Sequence, residues 1–215
     1  MAPIVSITGL SGSGKTTLLE KVVTELTKRG YTVATLKHDA HGFDIDREGK
    51  DSWRHAKAGA VSVALSSPEK FVVIKNVKKE WPPERIIHSY LTGADVVITE
   101  GYKKSAFPKI EVVRKAVSSK PVCAGDEKLL AIMSDTKIKS KAPVYNINAF
   151  KKAADIIEKQ IIKKHIDAKL TLIADGQVIS LKPFIEALLR EGVRGMIQSL
   201  KGCEGIEEIE IRIKR

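Results

Sequence analysis

The sequence is poor in cysteine, in aromatic residues and in long apolar runs, and each shortage excludes a class of protein. Two cysteines in 215 residues are too few for a disulfide framework or a four-cysteine zinc site. Aromatic residues make up 5% of the chain, whereas modules that bind single-stranded nucleic acid interleave basic with stacking aromatic side chains. No apolar run approaches the roughly 18 residues of a membrane-spanning helix, and the first residues do not resemble a secretory signal. We therefore expect a cytoplasmic protein with no nucleic-acid or membrane partner.

The positive charge of the chain is distributed unevenly. The net charge is +11, yet the residues after position 165 carry eight basic and eight acidic side chains. The first 165 residues therefore hold the whole excess, which is typical of a domain with a polyanionic partner such as a phosphorylated small molecule. This change in charge predicts two units, a main domain over 1–165 and a small α+β appendage over 166–215.

Short β-branched runs alternate with helical stretches through the main domain. The pattern predicts strands over 4–8, 31–36, 61–65, 71–74, 94–99, 110–113, 129–133 and 144–147. It predicts helices over 15–29, from 50, over 83–93 and over 149–165. Apolar strands that alternate with helices are typical of sheets covered on both faces. We therefore expect an α/β fold with a doubly wound, mostly parallel sheet.

The appendage has a different pattern. Asp175-Gly176 lies between two apolar runs and favours a two-residue hairpin turn. A helix is predicted over 183–200, with an interruption at Gly192 or Gly195, and a strand with one apolar face over 208–214. A unit of about 50 residues is marginally stable alone, so we expect it to be docked or dimerised.

The sequence GLSGSGKT from Gly9 to Thr16 matches the phosphate-binding pattern G-x-x-x-x-G-K-[ST]. Its glycines allow backbone N–H groups to point at phosphate oxygens, and the following helix favours the same anion at its N-terminus. Lys15 is expected to reach the β- and γ-phosphates, and the Thr16 hydroxyl to ligate Mg²⁺. The predicted nucleotide-binding residues are Ser11, Gly12, Ser13, Gly14, Lys15, Thr16 and Thr17.

Phosphate-binding loops of this kind also need an acidic group near Mg²⁺, at the end of another strand. Glu100 follows the strand over 94–99, and Asp46 begins a D-x-x-G pattern. Both are predicted to be catalytic together with Lys15, and to be metal ligands together with Thr16. A solvated strand end for Glu100 and a loop cap for Asp46 remain open alternatives.

Basic side chains outside the P-loop predict a second anionic ligand. Lys50 and Arg54 lie one helical turn apart, so both can face one anion. The complete predicted second anion site consists of Lys37, His38, His41, Lys50, Arg54, Lys103 and Lys109. A solvated basic surface is the open alternative, and a metal site built on the two histidines lacks the further ligands that zinc requires.

Several of these segments together resemble the MobB family, adaptors of molybdopterin-guanine dinucleotide biosynthesis within the dimeric P-loop GTPases. The resemblance covers roughly residues 3–165. It rests on residues 9–17, Lys37-His38 with His41, Asp44-Ile45-Asp46, Gly49-Lys50-Asp51-Ser52, Ala58-Gly59-Ala60 and Glu100-Gly101-Tyr102-Lys103. It implies binding of GTP and Mg²⁺, weak hydrolysis, homodimerisation, and assistance to a MobA-type guanylyltransferase that attaches GMP to molybdopterin. The second anion would then be the phosphate of molybdopterin.

Guanine recognition and two other functions of P-loop proteins are left open by the sequence. No N-K-x-D motif is present, and Asp135, after the strand over 129–133, is the predicted guanine contact, with an ordinary turn as the alternative. A small-molecule kinase usually carries an arginine-rich lid, whereas arginines 47, 54, 85 and 114 are scattered. A nickel-delivery GTPase needs cysteine and histidine ligands, and Cys123 has no such neighbour in the sequence.

Overall fold

A computed structural model of the chain describes residues 2–39, 42–164, 170, 172–174, 177–203, 205, 209 and 211. Its strands are β1 (Ile4–Thr8), β2 (Val33–Lys37), β3 (Ser62–Ser66), β4 (Phe71–Lys75), β5 (Val96–Glu100), β6 (Lys109–Val113), β7 (Leu129–Ser134), β8 (Val144–Asn146), β9 (Leu172–Ala174) and β10 (Gln177–Ile179). Its α-helices are α1 (Lys15–Lys28), α2 (Asp51–Lys57), α3 (Pro83–Tyr90), α4 (Phe150–Ile157) and α5 (Pro183–Gln198).

A six-stranded parallel sheet in the order β2-β5-β1-β6-β7-β8 forms the centre of the molecule. The register sets Ile7 of β1 beside Glu100 on one side and Ile110 on the other. Because all six strands run the same way, their carboxyl ends meet at one edge of the sheet, where ligands bind in open α/β folds. The predicted doubly wound, mostly parallel sheet is confirmed.

Apolar side chains from the sheet and from two helices form the core. Leu18, Val22 and Leu26 recur at helical spacing along α1 and are buried against the sheet together with α4. Adjacent residues of β7 point to opposite faces, so Met133 joins this core whereas Ile132 belongs to a second, smaller cluster. Helix α1 is thereby held with its N-terminus at the carboxyl edge of the sheet.

Strands β3 and β4 form a separate two-stranded antiparallel sheet. A short connection can join only antiparallel neighbours, because a parallel pair needs a long crossover. The sequence predicted these two strands correctly but contained no clear sign that they leave the main sheet. Phe71 in β4 and Val61, just before β3, are 70% and 79% exposed.

The C-terminal part differs from prediction in two helices. The helix predicted over 149–165 is α4 followed by a π-helical turn, Glu158–Ile162, and α5 continues through both glycines that were expected to interrupt it. Strands β9 and β10 pair as the predicted hairpin. The predicted turn at 175–176 and most of the strand predicted over 208–214 lie outside the described residues, and the two described positions, Ile209 and Ile211, are not in a strand. Among the helices described, none is long and apolar enough to cross a membrane.

Candidate functional site

The loop between β1 and α1 adopts a conformation that only glycine allows at several positions. Gly12 and Gly14 have φ values of 74° and 95°, in the left-handed region that residues with a Cβ avoid. A Cβ on Gly9 would meet the Val112 carbonyl and lie 2.8 Å from Ser13 Oγ. No side chain caps α1, so the free N–H groups of its first turn remain available to an anion.

A cavity of about 620 Å³ opens beside this loop at the carboxyl edge of the sheet. Its volume lies within the roughly 300–1,000 Å³ of small-molecule sites. Four elements contribute to it: the P-loop and the carboxyl ends of β2, β5 and β6. The lining residues are Ser11, Gly12, Gly14, Lys15, Thr16, Thr17, Lys37, His38, Asp39, Glu100, Gly101 and Arg114.

Thr16 and Glu100 meet directly at the floor of the cavity. The Thr16 hydroxyl donates to both carboxylate oxygens of Glu100, at 2.9 and 3.0 Å, and Glu100 is 9% exposed. The Lys15 side chain folds over the P-loop, and its Nζ donates to the Leu10 carbonyl at 2.9 Å. A hydroxyl and a carboxylate beside free backbone N–H groups form the set of donors that suits a magnesium–phosphate group.

Two further observations fit a phosphorylated ligand at this loop. Ser13 Oγ is buried and has no hydrogen-bond partner among the described residues, although buried polar atoms are normally paired. The glycines leave the backbone bare where phosphate oxygens would approach. The residues present therefore fit a nucleotide with Mg²⁺, which Thr16 and Glu100 would hold.

Lys37 and His38 enter the cavity at the end of β2. Lys37 lies opposite Glu100 in the register of the sheet, and the His38 backbone N–H donates to the Glu100 carbonyl at 3.0 Å. Gly101 permits this close approach, because a Cβ there would lie 3.2 Å from His38 Cβ. Two residues of the predicted second anion site thus stand next to the P-loop.

The His38 side chain is oriented by two neighbours outside the lining of the cavity. Its Nε2 lies 2.9 Å from Glu80 Oε1, and its ring centroid lies 4.8 Å from that of Tyr102. Burial, followed by the negative charges of Glu80 and Glu84, raises the pKa of the Tyr102 phenol above its ordinary value. Tyr102 therefore stays neutral at physiological pH and keeps its O–H donor.

Asp46 does not line the cavity. Its Oδ1 accepts hydrogen bonds from the Ser52 hydroxyl at 2.7 Å and from the Arg47 N–H at 3.0 Å. These contacts fix the loop that leads into α2, as the alternative of a loop cap expects. The metal and catalytic roles predicted for Asp46 stay predictions.

Lys109 was expected to bind an anion, and its geometry argues against that role. It is fully buried and begins β6, so it lies at the amino end of the strand, away from the cavity. Its Nζ forms an ion pair with Asp126 and donates to the carbonyls of Ser105, at 2.9 Å, and Lys103, at 3.3 Å. The hydrogen bond from Lys109 lowers the pKa of the Asp126 carboxyl. An ammonium group with all three protons used is not free to bind a ligand.

The remaining predicted residues that the structure describes do not line the cavity. Lys50 and Lys103 are exposed, as is Arg54, whose Nη1 lies 3.7 Å from Asp51. Asp135 is exposed at the carboxyl edge, just after β7, and accepts the Lys115 N–H at 2.7 Å. His41 lies outside the described residues.

Arg114 lines the cavity and was not predicted as a site residue. It directly follows β6 and therefore stands at the same edge as the P-loop. That position was a usable signal, because an arginine that follows a buried parallel strand falls where ligands bind. In the sequence, Arg114 is one of several scattered arginines.

A family profile and two characterised proteins match the sequence of this chain. The family profile described as "Molybdopterin guanine dinucleotide synthesis protein B" (MobB) matches residues 4–135. The molybdopterin-guanine dinucleotide biosynthesis adapter protein of Haemophilus influenzae is 36% identical over 164 residues, which cover 76% of this chain and 92% of that protein. The adapter protein of Escherichia coli is 28% identical, and the alignment covers 77% of this chain and 97% of that protein.

The structural comparison agrees with the sequence comparison. A crystal structure of molybdopterin-guanine biosynthesis protein B superposes with a TM-score of 0.59 at 30% identity. The superposition covers 73% of this chain and 97% of the crystallised chain, so the aligned part corresponds in length to the predicted main domain. The sequence motifs, the parallel sheet and both comparisons lead to one conclusion: the chain belongs to the MobB family.

Proposed function

We propose that the chain binds GTP with Mg²⁺ in the P-loop cavity, hydrolyses it weakly, and acts as an adapter in the formation of molybdopterin guanine dinucleotide. The observation that carries the proposal is the contact of the Thr16 hydroxyl with both Glu100 oxygens beside uncapped helix N–H groups. Thr16 and Glu100 would hold Mg²⁺, which would supply positive charge to the phosphates.

Each residue of the cavity has a specific part in this proposal. Lys15 leaves the Leu10 carbonyl and moves onto the β- and γ-phosphates, which the flexible lysine side chain allows. Ser11 to Gly14 and Thr17 surround the phosphates with N–H and hydroxyl groups. Thr16 and Glu100 hold the metal ion, and Asp135 is the proposed guanine contact. Asp46 would join the metal-bound water only if its loop moves toward the cavity.

The adapter role is supported by the family and by the basic surface around the cavity. The adapter proteins of Haemophilus influenzae and Escherichia coli are named for molybdopterin-guanine dinucleotide biosynthesis, and we extend that role to this chain. A MobA-type guanylyltransferase would be the protein partner. Lys37 and His38 would receive the phosphate of molybdopterin, with the exposed Lys50, Arg54 and Lys103 as further contacts. This role is favoured over a small-molecule kinase or a nickel-delivery GTPase, because no observation at the site supports either.

Calorimetric titration tests the nucleotide part of the proposal. The wild-type chain should bind GTP more tightly than ATP in the presence of Mg²⁺. Lys15→Ala should weaken GTP binding by about 10- to 100-fold, the usual cost of losing charge-assisted hydrogen bonds. Lys28→Ala, an exposed lysine in the last turn of α1, is the matched control and should bind as the wild type does. Equal affinities of wild type and Lys15→Ala would contradict the assignment.

A further inference from the structure

Arg114 is a cationic side chain in the wall of the cavity that no carboxylate neutralises within the described residues. Its guanidinium lies against Gly14, where a Cβ would come within 3.2 Å of Nη2. Its Nε is buried and has no hydrogen-bond partner among the same residues. Gly14 thus does more than permit a left-handed turn, because its bare Cα makes room for the guanidinium.

The backbone around Arg114 is fixed although its side chain has no partner. The Val117 and Ser118 N–H groups both donate to the Arg114 carbonyl at 2.9 Å, which closes a turn directly after β6. Burying a guanidinium N–H without an acceptor is unfavourable. An arriving anion would remove that cost, and a guanidinium can hold phosphate oxygens with two parallel hydrogen bonds.

The order of the strands indicates which part of a nucleotide would reach Arg114. Strand β5 lies on one side of β1 and β6 on the other. The Thr16–Glu100 contact marks the β5 side, where these two residues would hold the metal ion that neutralises the terminal phosphates. The α-phosphate and the base must then extend toward β6 and β7. Arg114 follows β6, and Asp135 follows β7.

We infer that Arg114 binds the α-phosphate end of the nucleotide and holds GTP and GDP equally. The inference rests on the proposed nucleotide binding and deepens it by assigning the two ends of the cavity. An arginine at the γ-phosphate would instead distinguish GTP from GDP and would act on hydrolysis. Arg114 is placed on the wrong side of β1 for that role.

Titration of the full chain with GTP and with GDP, both with Mg²⁺, tests the inference. Arg114→Ala should weaken binding of both nucleotides by a similar factor of about 10 to 100. Arg114→Lys should recover part of the loss, because it keeps the charge but not the two parallel bonds. Lys115→Ala removes an exposed neighbouring cation and should leave both affinities near the wild-type values.

Melting of the ligand-free variants separates binding from a structural role. Arg114→Ala should not lower the melting temperature without ligand, because the guanidinium has no described partner to lose. The inference would be overturned if Arg114→Ala bound both nucleotides as tightly as the wild type, whether or not its melting temperature fell. A loss of affinity for GTP but not for GDP would also overturn it. If the wild type binds neither nucleotide, the proposed function itself fails, which the wild-type titration reveals independently of any variant.

Discussion

At the scale of single residues, the Glu100 carboxylate is the group that we propose as a ligand of Mg²⁺. It is nearly buried, and its two oxygens face the Thr16 hydroxyl. Glu100→Gln keeps the shape but removes the negative charge that a divalent cation requires. We expect GTP binding by this variant to lose most of its dependence on Mg²⁺, with affinity in EDTA close to that of the wild type.

The measurement is a GTP titration of wild type and Glu100→Gln with Mg²⁺ and with EDTA. Glu69→Gln, an exposed carboxylate, serves as the control and should respond to Mg²⁺ as the wild type does. A Glu100→Gln protein that keeps the full effect of Mg²⁺ would show that this carboxylate does not hold the ion.

Two cations at opposite ends of β6 show what the sequence could and could not predict. Lys109 begins the strand and Arg114 follows it, so strand direction alone assigns only Arg114 to the carboxyl edge. The partner of Lys109, Asp126, lies in a loop that the apolar pattern does not describe. Strand polarity was thus a signal available in the sequence, whereas the buried ion pair depends on a loop conformation that local pattern does not determine.

At the scale of secondary-structure elements, a charged cluster joins the C-terminal end of α1 to the end of α4. Arg29 Nη1 lies 2.7 Å from Glu158 and 2.9 Å from Asp155, and Lys163 Nζ lies 2.6 Å from Glu158. Hydrogen bonds from Lys163 and Arg29 lower the pKa of Glu158 from 4.5 to about 2. Because the folded state holds the ionised form, this contribution to stability is complete above pH 4.5 and disappears as the pH falls toward 2.

The pH dependence of Glu158→Gln tests this cluster. Wild type should have a higher free energy of unfolding than the variant at pH 6, and the difference should shrink as the pH falls from 4.5 toward 2. Urea unfolding at several pH values measures the difference. Glu69→Gln should match the wild type throughout, and a difference for Glu158→Gln that does not change with pH would show that packing rather than charge explains the effect.

The hairpin of β3 and β4 carries apolar side chains that the described part of the chain leaves exposed. Leu65 and Val72 are paired across the two strands and are 42% and 38% exposed, and Phe71, next to Val72, is 70% exposed. Exposed apolar residues grouped in this way are typical of interfaces. Since the family resemblance implies a homodimer, we propose this hairpin as part of its interface. We therefore expect light scattering to give the mass of a dimer for the wild type and of a monomer for Phe71→Asp.

Helix α5 supplies the matched control for that experiment. Phe184 at its start is 74% exposed, so Phe184→Asp introduces the same charge on another apolar surface. We expect this variant to keep the mass of the wild type. If Phe184→Asp were a monomer and Phe71→Asp a dimer, the interface would lie on the appendage and not on the hairpin.

At the scale of the whole molecule, the division into 1–165 and 166–215 stays a prediction. None of the residues of α5 is buried, and the cavity lies entirely within the first unit. Deletion of residues 166–215 should therefore leave a folded protein with GTP affinity near that of the full chain. Circular dichroism and calorimetry check both properties, and an insoluble or nucleotide-blind truncation would mean that the appendage completes the main core.

The parts of the fold that the sequence predicted share a common physical origin. The P-loop is contiguous, and Glu100 ends an apolar run, so both follow from local pattern and strand direction. The separate hairpin and the π-helical turn after α4 depend on contacts between distant segments, which local propensity does not encode. Of the described members of the second anion site, Lys37 and His38 line the cavity, and the roles of Lys50, Arg54 and Lys103 stay predictions.

The most direct test of the central claim is a reconstituted synthesis of molybdopterin guanine dinucleotide. A MobA-type guanylyltransferase, molybdopterin and limiting GTP with Mg²⁺ are combined with the wild-type chain, with Lys15→Ala or with Lys28→Ala, and the dinucleotide is measured by chromatography. Wild type and Lys28→Ala should increase the yield, whereas Lys15→Ala should not, because it cannot hold the GTP phosphates. Equal yields with wild type, with Lys15→Ala and with no added chain would contradict the adapter function.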